Sequence, residues 1–481
     1  MELFPKALKR ALSTYPSGDP AKYRRALPVL LFWLALWQIG AWAVGSHILL
    51  AGPLQVVKAL ASLLPTAAFW RSVATSFGKI GLGFLTAFFT GIFVGWLAFR
   101  FSFLQVLLAP AITFMNSVPL ASFIILALIW TGSEDLAVLT SYLVVFPMLY
   151  VQTIAGLKST DRKLLEMAAV FQIRGWPKLI GLYWPALLPY LMSGCRTALG
   201  MSWKAGIAAE VIGVPSHTIG EQLYLSKVYL STAELFAWTF TIILISLLSE
   251  RVFLLLLERT GRRPLLPKGR HDRHSRVSVQ GNGHSWLSAQ DLDKSFGDLQ
   301  VLRKVCFHAS AGVPCCIMGP SGSGKTTFFR VLLGLEQPDA GSVALTVPSS
   351  APSSPFSVSA VFQEDRLCEG FSPIDNIRLA VPGLSTASIR RELAKILPEG
   401  CLTRPVATLS GGMKRRTAIA RALLAPSDMI VMDEPFTGLD DETRQEVIRY
   451  VLEMSADRLL LISTHQREDV SLLGGELVCF P

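Results

Sequence analysis

Apolar runs long enough to cross a hydrocarbon core, which takes roughly 20 residues of helix, recur through the first half of this chain and then stop. They fall at about 27–45, 73–99, 106–130, 136–157, 185–205 and 235–257. The stretch 49–69 mixes apolar positions with Pro53, Gln55, Lys58 and Pro65, so it reads as an interfacial or short outer helix rather than a span. From about Gly283 the period changes. Short apolar runs such as 315–318 and 429–432 alternate with helix-like stretches such as 327–335, as an α/β domain requires. The expected fold is an all-α six-helix transmembrane domain followed by an α/β domain.

Composition supports that division. Of 481 residues, 51% are hydrophobic, more than an ordinary soluble enzyme carries. The net charge of +10 is unevenly placed: residues 1–284 hold 26 Lys and Arg against 12 Asp and Glu, whereas residues 285–481 hold 19 against 23. A basic excess confined to flanks of apolar runs is the mark of cytoplasmic loops, which argues against a nucleic-acid partner. The basic N-terminus 1–26, the loop 158–184 with Lys158, Arg162, Lys163, Arg174 and Lys178, and the linker 259–284 with seven Lys and Arg to one acid all fall on one side if six spans cross. Both termini are then cytoplasmic, in a multi-pass protein of a bacterial-type plasma (inner) membrane. The apolar run after the basic N-terminus is too long for a cleaved signal and reads as the first span. The seven cysteines show no Cys-x-x-Cys spacing and read as reduced, packed thiols.

The chemistry lies in the second half. Gly319-Pro-Ser321-Gly322-Ser-Gly324-Lys325-Thr326-Thr327 follows an apolar run and opens a helix-like stretch. Glycines there let backbone N–H groups close on phosphates, a lysine adds a point charge, and a hydroxyl can ligate Mg²⁺. ATP and Mg²⁺ are the expected ligands. Met429-Ile-Val-Met-Asp433-Glu434 is an apolar strand ending in two carboxylates, one to hold the metal and one to orient the attacking water. Asp433 takes the first role and Glu434 the second.

With Leu409-Ser410-Gly411-Gly412-Met413 added, residues 285–481 resemble the P-loop ATPase domain of ABC transporters; Met413 stands where glutamine is usual. The resemblance implies that Gln363 is the Q-loop glutamine and a further ligand of the metal beside Thr326 and Asp433. It implies that Gly438-Leu439-Asp440 is the D-loop, that His465 is the switch histidine that senses the γ-phosphate, and that Phe296 stacks on adenine. It also implies that Ser410 acts across a dimer, on ATP held by the opposite phosphate loop, so the chain pairs with a second copy.

The permease half, 27–258, resembles binding-protein-dependent ABC importers of the nitrate/sulfonate/taurine branch. Glu166-Met167-Ala168-Ala169, followed by Trp176 and by Trp184-Pro185-Ala-Leu-Leu-Pro189, resembles their coupling loop, with Met167 for the first alanine and Gln172 where a glycine is usual. Glu166, Ala168 and Ala169 are the implied coupling residues. The implied function is import of a small solute, anionic or small heterocyclic, handed over by a separate extracytoplasmic solute-binding protein. An ABC exporter and a non-transporting membrane regulator are the alternatives; the short inner connections and short outer loops speak against each in turn. Arg196, Lys204 and Glu210 fall in or at the end of the fifth run, where an ionisable residue faces a cavity or a partner. A substrate path and mutual pairing both explain them.

Overall fold

The computed structural model describes residues 20–46, 48–262, 286–320, 322–346, 357–455 and 458–480. Most of the basic N-terminus 1–26, most of the linker 259–284, the Ser/Pro-rich stretch 348–355 and Ser321 lie outside the described residues. The chain divides into two compact units: Met1–Ser159 with Leu187–Arg259, and Thr160–Ala186 with Thr260–Pro481. The second unit thus takes its first segment from the loop expected to join ATPase and membrane domains.

The first unit is helical. It contains α1 (Pro20–Val44), α2 (Pro53–Leu63), α3 (Ala67–Arg100), α4 (Ser102–Ser117), α5 (Leu120–Thr131) and α6 (Leu136–Lys158). Apolar side chains face outward along much of it, Phe103 at 72% and Ile129 at 77% exposed among them, as suits contact with lipid rather than water. The pair α3 and α6 forms its centre. A Cβ added at Gly83 would lie 2.5 Å from the Val138 carbonyl, and one at Gly95 would lie 2.8 Å from Thr153 Cβ. Small residues here let two helix backbones approach, which is how helices associate where lipid removes the hydrophobic drive.

Among the described residues, three helices are long and apolar enough to cross a membrane, Ala67–Arg100, Leu136–Lys158 and Thr232–Gly261, and a bent pair raises this to four. By length and composition the described residues thus give three or four spans, against the six expected. The run 106–130 is no single rod: α4 and α5 meet at 108°, where Val118 precedes Pro119 and is held extended (φ −70, ψ 130), as the proline ring demands of its predecessor. The run 27–45 lies almost wholly within the 25-residue α1. The run 185–205 lies in a 30-residue helix, α8 below, whose hydropathy is diluted by Arg196, Lys204 and Glu210.

The loop segment holds α7 (Arg162–Val170); after it come α8 (Trp184–Gly213), α9 (Ile219–Val228) and α10 (Thr232–Arg262). Asp161 caps α7 by accepting from the Lys163 N–H. Pro185 follows a π-helical turn over Leu179–Tyr183 that runs straight into α8, and Pro189 lies inside the helix.

The rest of the second unit is α/β. In order it contains β1 (Trp286–Phe296), β2 (Leu299–Ser310), β3 (Cys315–Met318), α11 (Lys325–Leu332), β4 (Ala340–Thr346), β5 (Val358–Val361), α12 (Pro373–Ala380) and α13 (Thr386–Leu393). Then come α14 (Gly411–Leu424), β6 (Met429–Asp433), α15 (Asp441–Ser455), β7 (Leu459–Ser463), α16 (Arg467–Leu473) and β8 (Glu476–Cys479). A parallel sheet runs β5-β6-β7-β3-β8, and an antiparallel sheet runs β2-β1-β4. Strands β6 and β7 are buried at every position, which is why they read as unbroken apolar runs rather than alternating ones. The neighbours β6, β7 and β3 all end at the same edge, the edge where open parallel sheets bind ligands.

Candidate active site

The phosphate loop fills the gap between β3 and α11. Gly322 (φ 86) and Gly324 (φ 94) take left-handed backbone, which only glycine adopts freely. At Gly319 a Cβ would come 2.9 Å from the Phe480 carbonyl. Lys325 opens α11, is buried, and donates to the carbonyls of Gly319 (2.7 Å) and Pro320 (2.8 Å). Its ammonium is thus held inside the loop that it would help to charge. The next residue, Thr326, donates to Asp433 Oδ2 at 3.0 Å, and Ser463 donates to Asp433 Oδ1 at 2.6 Å. Two strand ends and a helix start therefore meet at one carboxylate.

Glu434 follows with φ 48, a conformation costing a non-glycine residue about 1–3 kcal/mol. It is fixed from both sides: its N–H donates to Ser463 Oγ (2.9 Å), and its Oε1 lies 2.8 Å from His465 Nε2. The two residues expected to act in catalysis, Glu434 and His465, are in direct contact.

Gln363 is exposed and lines a cavity of about 180 Å³ with Thr326, Asp433, Arg330 and Arg366. Hydroxyl, carboxylate and amide oxygens are hard donors, the set a Mg²⁺-sized cation takes. Phe296 ends β1, is 47% exposed, and has the Lys294 ammonium over its ring at 5.4 Å from the centroid. Thr327 continues α11. Ser410 caps α14, accepting from the Met413 N–H at 3.4 Å; Gly411 and Gly412 form the first turn, and Gly412 packs against Leu439 and Gly438. Among the described residues no hydrogen bond joins Ser410 to the phosphate loop.

The loop segment 160–186 reaches the same unit through α7. Met167 (0% exposed) and Ala168 (1%) pack with Ala360, Phe362, Cys368 and Leu379. Ala169 points away and is exposed. Glu166 receives two bonds from Arg330 (3.0 and 3.1 Å) and one from Arg366 (2.9 Å). The Arg330 hydrogen bond, with the charge of both arginines, holds the Glu166 carboxyl below the ordinary glutamate range despite burial. Gln172 takes φ 54, and the turn closes with Ile173 N–H to Ala168 O (2.8 Å) and Gln172 N–H to Ala169 O (3.1 Å). This is a helix stop usually built on glycine, met here by a glutamine.

The three ionisable residues of the fifth run do not converge. Glu210 is fully buried, accepting from Ser76 Oγ (2.7 Å) and the Gly220 N–H (3.0 Å). Arg196 lies 3.6 Å from Glu250, and Lys204 is exposed.

Sequence reasoning missed the arginines. Arg415 and Arg421 on α14 are 6% and 0% exposed. Burial pulls Arg421 down to about 10, which leaves it charged at neutral pH. The signal was present: Ala418-Ile-Ala-Arg421-Ala-Leu-Leu places one cation inside an apolar run, and a buried cation needs acceptors.

A family model described as ABC transporter matches residues 302–437. One described as binding-protein-dependent transport system inner membrane component matches residues 87–262. The Nod factor export ATP-binding protein I of Ralstonia nicotianae is 36% identical over 203 residues, covering 40% of this chain and 63% of that one. Its counterpart in Burkholderia lata is 37% identical over 205 residues, covering 40% and 66%. The chain thus spans less than two thirds of the length of these relatives. Among solved structures, an ATP-binding cassette of an ABC transporter in its ADP conformation is 26% identical, with a TM-score of 0.34 over 41% of this chain and 87% of that one. The chain joins, in one polypeptide, a permease domain of the binding-protein-dependent transport family and an ATPase domain of the ABC transporter family.

Proposed function

We propose that this chain is half of an ATP-driven importer, pairing with a second copy and taking a small anionic or heterocyclic solute from a separate extracytoplasmic solute-binding protein. It would sit in a bacterial-type inner membrane with the ATPase domain and both termini in the cytoplasm. The observation that carries the reading is Glu166 on α7, received by Arg330 of the phosphate-loop helix and Arg366 beside Gln363. One short permease segment thereby touches both parts of the ATPase that sense nucleotide.

In this reading the phosphates of ATP lie on the amides of 319–325 and on Lys325, with Ser321, Gly322 and Gly324 shaping the loop. Thr326, Asp433 and Gln363 would hold Mg²⁺, which when bound neutralises charge on the transferred phosphoryl group. Glu434 orients water and His465 holds Glu434. Phe296 stacks on the base, and Ser410, Gly411 and Gly412 close the site from the second copy. Closure would pull on α7 through Glu166, Met167 and Ala168. Arg196 and Lys204 are the cations an anionic solute would meet in transit. Glu210, buried under Ser76 and Gly220, serves instead to fix the start of α9.

Vesicles holding the purified chain, with ATP on the ATPase side, should accumulate solute only when a cognate solute-binding protein is present on the opposite face. Uptake independent of that protein, or net movement the other way, would overturn the reading.

A further inference from the structure

Residues 362–366 form a loop whose main-chain carbonyls are taken up by two arginines of α14. Arg415 Nη1 donates to Phe362 O (2.7 Å), and Arg421 donates to Asp365 O (3.1 Å) and Arg366 O (2.7 Å). A single nitrogen, Arg415 Nη2, donates to both Gln363 O (3.0 Å) and Glu434 O (2.9 Å). Arg415 also pairs with the Asp365 carboxylate at 3.1 Å. At the far end of the loop Arg366, left-handed at φ 45, stacks its guanidinium 3.9 Å from the Phe362 ring and binds Glu166. Phe171, just after α7, lies under Arg421 at 5.0 Å.

Burying two guanidinium groups to cap a loop is costly, the more so because Arg421 Nε is buried without a hydrogen-bond partner, and a fold that needed only packing there would use apolar side chains. What the arginines add is direction: a planar fork fixes the relative position of the groups that it bridges. We infer that Arg415 is a positioning residue that ties the backbone of Glu434 to the loop holding Glu166, so that docking of α7 sets the carboxylate that orients water. Glu166 fixes Arg366; Arg421 and Asp365 fix the loop; Arg415 carries its position to Glu434. This rests on the proposed roles of Glu166 and Glu434.

The test uses the full chain in lipid nanodiscs, measuring kcat and KM for ATP, binding of a fluorescent ATP analogue, and melting temperature. Arg415→Lys keeps the charge but offers one nitrogen in place of a fork. It should lower kcat roughly tenfold or more, since misplacing a catalytic group by about 1 Å costs up to about a hundredfold. KM, analogue binding and melting temperature should stay near wild type. Glu166→Gln should lower kcat in the wild-type chain and have little further effect in Arg415→Lys, because both break one path. Wild-type kcat in Arg415→Lys overturns the inference, as do two effects that simply multiply. Substantial turnover in Glu434→Gln would instead overturn the catalytic assignment beneath it, so the two failures are distinguishable.

Discussion

Glu434 follows a strand end and Lys325 opens a helix, and they are held in ways that predict different losses. Glu434 makes its strained turn with a carboxylate bonded to His465, so Glu434→Gln keeps the shape and removes the negative charge that orients water. Turnover should fall about 10²–10⁴-fold, the range of a general base, with ATP binding intact; near-normal turnover would refute the assignment. Lys325 instead points into the phosphate loop. Lys325→Ala should weaken nucleotide binding about ten- to a hundredfold, the worth of a charged hydrogen bond of about 1.5–3 kcal/mol, as read by equilibrium titration. Arg196 is a different case, because Glu250 already lies 3.6 Å away. If it serves an anionic solute as well, Arg196→Gln should reduce solute uptake into vesicles and leave basal ATP hydrolysis unchanged. Unchanged uptake would reduce Arg196 to an interhelical ion pair.

The element that decides the reading is α7, and its weak point is the stop after it. Gln172 stands exposed at φ 54, so its side chain makes no packing argument and the backbone alone sets the cost. Gln172→Val, β-branched in a left-handed position, should destabilise the second unit by about 1–3 kcal/mol, seen as a lower melting temperature. Gln172→Gly should not. The sequence marks this element well, since Glu166, Ala168 and the paired prolines have a fixed spacing. It also marks the phosphate loop and Asp433-Glu434, because their chemistry depends on near neighbours in the chain. What it hides depends on distant neighbours. The roles of Arg415 and Arg421 on α14 show only once four carbonyls of 362–366 are found beneath them. The break between α4 and α5 hides inside a continuous apolar run because hydropathy does not register Pro119. The run 185–205 is legible despite its charges: Glu210 and Arg196 lower the average hydropathy, yet the helix runs 30 residues.

At the scale of the whole molecule, Ser410 and Gly411 are exposed at the start of α14 and make no hydrogen bond to the phosphate loop of their own chain among the described residues. A helix start that presents free N–H groups and a hydroxyl suits a phosphate, and in the paired reading that phosphate belongs to the other copy. This has a consequence that no single substitution reveals. Lys325→Ala spoils the phosphate loop of one chain, and Ser410→Glu, which sets a like charge against the γ-phosphate, spoils the start of α14 in the other. Each variant alone forms pairs in which neither site is complete. In a mixed pair, one site joins the intact phosphate loop of the Ser410 variant to the intact Ser410 of the Lys325 variant, and only the second site is doubly damaged. Random pairing makes about half of the assemblies mixed, so co-expression should restore up to about a quarter of wild-type hydrolysis if one site suffices. If Ser410 served its own chain, every chain in the mixture would remain damaged and none of the activity would return.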